Sequence, residues 1–277
     1  MTDLFPSAEP ADTSRQTSAH LSAQASPFDL SGTAVLVTGA RRGLGRAIAL
    51  EFAMAGADVA IGLRDETDDA GLASEIESLG RRALAVRLDV TDLRSGREAI
   101  DRAVTEFGRL HTLVNNAGGG ILGAAIDVTE EDFDRVWALN TKSTYFLSQH
   151  AAMHMRAAGG GAIVNVASQA GLVALPGESS YCVAKAAVVH MTRCHAVEWG
   201  EYGIRVNALA PTFIETDGTE AALADAVFRA DTVERIAGLH RIGVPREVSG
   251  AAVFLASPAA SLVTGQTLAV DGGWTAR

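Results

Sequence analysis

The stretch TAVLVTGARRGLGRAIALEFAMAGA, residues 33–57, limits what this chain can fold into more than any other segment. It opens with a short Val-rich apolar run and continues with apolar residues at Leu44, Ile48 and Phe52, spaced for one helix face, before Gly56. Glycines at 39, 43 and 45 fill the join. That order predicts a buried strand, a glycine turn, a helix and a glycine stop. The theme repeats: DVAIGL (58–63), ALAVRL (83–88), LHTLVN (110–115), GAIVNV (161–166), IRVNAL (204–209) and QTLAV (266–270) read as further strands. Helical segments fall between them, among them one from about Thr67 to Leu79 ended by Gly80 and one from about Asp92 to Phe107 ended by Gly108. Strands alternating with helices of this length make parallel βαβ units. The expected class is α/β: a doubly wound, seven-stranded parallel sheet with helices on both faces. Ligands in such a sheet gather beyond the carboxyl ends of the strands.

At 277 residues and 48% hydrophobic content the chain can bury a sizeable core, and no internal repeat or interdomain linker divides it. One domain is expected over residues 29–277. The preceding residues 1–28, rich in Ser, Ala, Thr and Pro, read as a mobile tail. With 23 basic and 33 acidic residues the net charge is −10, without blocks of like charge, which argues against nucleic acid and anionic membrane surfaces as partners. No apolar run approaches the roughly 18 residues of a membrane span, and residues 1–28 carry no apolar signal core, so a cytoplasmic protein is expected. Cys182 and Cys194, if on one helix, stand about 18 Å apart. That is beyond disulfide reach, and both read as reduced, partly buried thiols.

The glycines at the first join have a chemical use. Glycine permits positive φ and lets a ligand approach the backbone, while the N-terminus of the next helix attracts a pyrophosphate. TGARRGLGRA is therefore the expected cradle for a dinucleotide. Far along the chain, SSYCVAKAAV (179–188) sets Tyr181 and Lys185 four positions apart, side by side on a helix. A phenol with its usual pKa of about 10 is a poor acid/base near neutrality, and an adjacent cation favours the phenolate. The pair is a candidate general acid/base, the other reading being a surface pair.

The Gly-x-x-x-Gly-x-Gly spacing together with YCVAK resembles the short-chain dehydrogenase/reductase family in its single-domain Rossmann form. The resemblance covers about residues 29–277. LDVTD with Asp89, NNAG at 115–118, Asn140 in ALNTKS, IVNVAS ending at Ser168 and VDGG near the C-terminus match in order. It implies a nicotinamide cofactor held by Gly39, Arg41, Arg42, Gly43, Leu44 and Gly45 at the loop. Asp89, with Val90 beside it, would bond the adenine, and Asn116, Ala117 and Gly118 would line the adenosine side. A helix cap and a turn are the plainer roles for these residues. Pro211, Thr212 and Ile214 after the sixth strand, with Tyr181 and Lys185, complete the cofactor set. NAD-preferring relatives end the second strand with an acidic residue; here Leu63 and Arg64 stand there. A 2′-phosphate meets no carboxylate, and Arg42 with Arg64 suits it, so NADP is favoured over NAD unless Arg64 pairs with Asp65 and points away.

The same resemblance implies an oxidoreductase that interconverts a secondary alcohol and a ketone by hydride transfer. Ser168 would bond the substrate oxygen, Tyr181 would exchange the proton, and Lys185 would lower the tyrosine pKa and hold the nicotinamide ribose. Asn140 would hold a water linking the lysine to solvent. The pocket would draw on Gly119, Gly120, Ile121, Gln169, Pro176, Gly177, Glu178 and a lid over residues 211–243, where Thr212 replaces the usual glycine. Ser168, Gln169, Glu178 and Tyr181 are the expected substrate contacts. Gln169, Glu178 and His240 suit a polyhydroxylated molecule, although Glu178 and His240 are as well explained by facing water. A sugar, sugar acid or polyol is the expected small-molecule substrate. A 3-oxoacyl thioester on an acyl carrier is the alternative, and a catalytically silent nicotinamide-binding scaffold a third. His150 and His154 have i, i+4 spacing but no third ligand, so no metal is assigned and both are expected at the surface or a subunit contact. Trp137, Phe146, Ala151 and Ala152 give the helix after Asn140 an apolar stripe for core or subunit contact. The resemblance implies a homotetramer in which that helix and the Tyr181 helix meet another subunit.

Overall fold

The computed structural model describes residues 26–276. Seven parallel strands, β1 (Ala34–Thr38), β2 (Asp58–Leu63), β3 (Ala83–Arg87), β4 (Thr112–Asn115), β5 (Gly161–Val166), β6 (Ile204–Pro211) and β7 (Thr267–Val270), form one sheet in the order β3-β2-β1-β4-β5-β6-β7. The order reverses between β1 and β4, which opens a crevice at the carboxyl ends of those strands. The helices are α1 (Gly43–Met54), α2 (Leu72–Ser78), α3 (Leu93–Phe107), α4 (Glu130–Trp137), α5 (Ser143–Ala157), α6 (Ser179–Trp199), α7 (Glu220–Leu223), α8 (Ala226–Arg235) and α9 (Pro245–Ala256).

Alternation of side chains along β1 divides the core between the two faces of the sheet. Val35 and Val37 pack with Ile48 and Phe52 of α1 and Val248 and Ala252 of α9. Leu36 faces the other way, into a cluster with Ile100 of α3 and Leu147 and Met155 of α5. Every residue of β1 is buried, as expected of a strand covered on both faces.

Three boundaries and one burial depart from expectation. The helix expected from Thr67 begins at Leu72, because acidic side chains hold the preceding chain in turns. Asp65 Oδ1 accepts from the amide and hydroxyl of Thr67, and Asp69 accepts from the amides of Gly71 and Ala73. Residues 26–28 belong to the fold rather than to a tail: Pro27 O accepts from Ala259 N at 2.9 Å, and the Phe28 ring lies 6.4 Å from that of Phe254. Residues 1–25, the rest of the expected tail, lie outside the described residues. Trp137 precedes Asn140, at the end of α4, and a π-helical turn, Ala138–Lys142, joins α4 to α5. Both cysteines are free; Cys182 is half-buried, but Cys194 is exposed because it falls on the outer side of α6. Among the described residues no helix is long and apolar enough to cross a membrane.

Candidate active site

The glycine loop lies at the carboxyl end of β1, against that of β4. Gly39 (φ 65°) and Gly43 (φ 55°) adopt the left-handed backbone that favours glycine. Gly45 is required for space: a Cβ there would collide with the Gly39 carbonyl and stand 2.5 Å from Asn116 Nδ2. The two strand ends are tied by Thr38, whose Oγ1 accepts from the amides of Asn116 and Ala117, each at 2.9 Å, while Asn116 Nδ2 donates to Thr38 O at 2.9 Å. The Arg41 guanidinium makes a two-pronged ion pair with Asp68. Among the described residues no carboxylate forms a salt bridge with Arg42 or Arg64, and the proposed Arg64–Asp65 pair does not form, since Asp65 bonds Thr67. Asp89 is no helix cap: Asp92 caps α3 through Arg94 N, while Asp89 Oδ1 binds the amide and hydroxyl of Thr91. The Thr91 hydroxyl holds the Asp89 carboxyl below the usual range. A dinucleotide fits this set: a cradle that a Cβ would fill, two arginines without a salt bridge, and the buried Thr212 Oγ1, which has no hydrogen-bond partner among the described residues.

The side chains expected to carry the chemistry converge at the neighbouring strand end. β5 runs into Ser168, whose Oγ accepts from Ala170 N at 3.1 Å and which shares a side-chain hydrogen bond with Tyr181. Lys185 follows one turn later on α6, its Nζ 5.6 Å from the Tyr181 ring centroid. It is 3% exposed and donates to Val166 O at 2.7 Å. Asn140 sits in the π-helical turn, a local widening that often marks a functional position. Its Nδ2 donates to Gly119 O and Val136 O, each at 2.8 Å, and its Oδ1 accepts from Gly119 N at 3.2 Å. Both amide hydrogens thus hold the backbone, so the expected water would have to meet an oxygen of Asn140 rather than its amide N–H. Gly118 closes the group: a Cβ there would stand 2.7 Å from Asn140 Oδ1 and 3.1 Å from Lys185 Nζ.

Burial dominates the electrostatics of this pair. Burial pushes the Tyr181 phenol up to about 12, against the lowering hydrogen bond from Ser168 and with a further rise from the Glu178 carboxylate. Burial also pushes the Lys185 ammonium down to about 8. In this arrangement desolvation dominates both groups, and the Lys185 ammonium is aimed at Val166 O.

On the substrate side, Gln169 is 2% exposed, directly follows Ser168, and its Oε1 has no partner among the described residues. Glu178 is half-buried, and burial raises its carboxyl. Gly120 lies over Tyr181, where a Cβ would stand 3.2 Å from the ring, and Gly123 N donates to Gly177 O at 2.9 Å, tying the two loops of the pocket together. The lid leaves β6 at Pro211 and reaches the glycine loop: the Thr216 side chain lies 3.4 Å from where a Gly43 Cβ would be. Glu215, Thr216, Asp217, Glu220 and Arg229 line a cleft of about 440 Å³ there. His240 is exposed, with φ 47°, and its amide donates to Ile236 O in the reversal after α8.

Against known proteins, a family model described as enoyl-(acyl carrier protein) reductase matches residues 39–275. The 2-dehydro-3-deoxy-D-gluconate 5-dehydrogenase of Escherichia coli (strain K12) is 42% identical over 91% of this chain and 99% of its own length. The chain belongs to the short-chain dehydrogenase/reductase family. It is an NAD(P)-dependent oxidoreductase acting on alcohol groups. D-threitol dehydrogenase of Mycolicibacterium smegmatis (strain ATCC 700084 / mc(2)155) is 39% identical over 90% of this chain and 95% of its own. A gluconate 5-dehydrogenase from Burkholderia cenocepacia J2315, solved in complex with NADP and tartrate, superposes with a TM-score of 0.86 at 36% identity, covering 91% of this chain and 98% of that one.

Two residues of this dehydrogenase escape a reading of its sequence. Thr38 has a local signal, a threonine directly before the first loop glycine at a strand end. Thr216 has none, because its contact with Gly43 joins segments that only the closed fold brings together.

Proposed function

We propose that this dehydrogenase interconverts the alcohol and ketone forms of a sugar acid or polyol, with NADP preferred over NAD and Tyr181 as the acid/base. The observation that carries the reading is the Ser168–Tyr181 hydrogen bond with a buried, unpartnered Gln169 Oε1 and the half-buried Glu178 carboxylate alongside. Acceptors of this kind suit a molecule with several hydroxyl donors. Ser168 orients the reacting oxygen, and Tyr181 gives or takes its proton. Lys185, fixed on Val166 O, and Asn140, holding Gly119, position the strand end on which that proton moves. The nicotinamide cofactor, when bound, supplies or accepts the hydride. Arg42 and Arg64, without a salt bridge among the described residues, support recognition of a 2′-phosphate, and the NADP named in the Burkholderia structure agrees with that choice.

A panel of sugar acids and polyols assayed with NAD and NADP side by side tests the proposal. Activity on one such class that Tyr181→Phe abolishes supports it; activity only on 3-oxoacyl thioesters would overturn the substrate class and leave the family intact. The assembly proposed is a homotetramer, supported by exposed apolar residues on α5 and α6, among them Met153, Val183 and Val197. Light scattering should give four times the 28.8 kDa chain mass.

A further inference from the structure

We propose that Asp101, His150 and His154 form a site for a divalent transition-metal ion of the zinc class, clamping α3 to α5. His150 and His154 lie one turn apart on α5, and their Nε2 atoms stand 2.8 and 2.7 Å from the same atom, Asp101 Oδ1, on α3. All three ligand atoms lie within 4.8 Å of one another. Two imidazoles and a carboxylate are the donor set that zinc takes with a water in its fourth position. At metal–ligand distances of about 2.0–2.2 Å in a tetrahedron, the ligand atoms would be roughly 3.3 Å apart, so the Asp101 oxygen needs to recede from each nitrogen by about half an ångström and the two imidazole nitrogens to close by up to about 1.5 Å, within reach of side-chain rotation. The imidazole rings stand nearly perpendicular, 83° at 5.2 Å between centroids, converging on the carboxylate.

In the single chain the His150, His154 and Asp101 side chains are 19%, 33% and 51% exposed, which leaves room for the fourth ligand. None of the three residues belongs to the loop, strand ends or lid of the active site. The ion would join helices from two successive βαβ units and stabilise the folded chain by mass action, taking no part in hydride transfer.

Cobalt(II) titration of tag-free protein, stripped with EDTA and dialysed, tests the site. One equivalent should bind with the visible d–d bands of a four-coordinate ion, and zinc(II) should bleach them. Zinc(II) should also raise Tm. Both signals should weaken about tenfold or more in His154→Gln and in Asp101→Asn, and persist in His190→Gln, which alters an exposed histidine on α6. The variants should retain oxidoreductase activity, reporting that they fold. Absence of the bands and of the Tm rise in wild type would overturn the site and leave a hydrogen-bonded triad, as would bands that persist unchanged in both ligand variants.

Discussion

The buried ammonium of Lys185 makes stability depend on alkaline pH in a way that can be calculated. Its folded-state value of about 8 lies below the ordinary 10.5. Between those values the unfolded chain still holds the proton that the folded chain releases, so stability is depressed below the window and rises with pH across it. The full gap corresponds to about 3 kcal/mol, of which about 2 falls between about pH 7.5 and about pH 10. Lys185→Met removes the titration and keeps a similar shape. It also removes the bond to Val166 O, a cost of about 1–3 kcal/mol that does not vary with pH. The difference in unfolding free energy between wild type and Lys185→Met should therefore move by about 2 kcal/mol in favour of wild type across that range. Tyr181 is common to both chains, and its folded-state value of about 12 lies above the range. Urea unfolding followed by tryptophan fluorescence, without cofactor, reads the effect. A difference that stayed constant with pH, or moved towards the variant, would refute the claim that Lys185 is charged and desolvated in the fold.

Tyr181→Phe should lower kcat by about 10²–10⁴-fold while leaving Tm and cofactor binding nearly unchanged, measured by steady-state kinetics and cofactor fluorescence titration. Gly45→Ala places a Cβ against the Gly39 carbonyl and Asn116 Nδ2; cofactor affinity should fall before catalysis is affected, as direct titration of the variant would reveal. Arg64→Ala and Arg42→Ala should each raise Kd for NADP by about tenfold or more with little change for NAD, since each removes a charge-assisted partner of the 2′-phosphate. Equal losses for both cofactors would count against the NADP assignment. Burial holds His195 down at about 4, below its ordinary 6.5. The unfolded chain therefore takes up the proton first as pH falls, and stability drops between those values. His195→Leu should flatten that part of the pH–Tm curve.

Much of the site could be read from local spacing. Tyr181 and Lys185 meet because four residues make one helical turn, and the glycine loop forms where a buried strand hands over to a helix. The start of α2 is not legible in the sequence, because Asp65 and Asp69 bond the chain in turns that residue periodicity does not reveal. Arg41 sits in the loop, and no local signal announces its ion pair with Asp68.

By itself the sequence determined the order of strands and helices, the glycine cradle and the Tyr181–Lys185 spacing, since each depends on contacts among residues a few positions apart. Tertiary structure alone decided where the desolvation falls and which distant groups meet. It buried the Tyr181 phenol, turned Asn140 onto Gly119, and set Thr216 beside Gly43. It also brought Asp101 to His150 and His154. Those outcomes follow from which helices share a face of the sheet and how deeply they are covered, quantities that the spacing of residues along a chain does not contain.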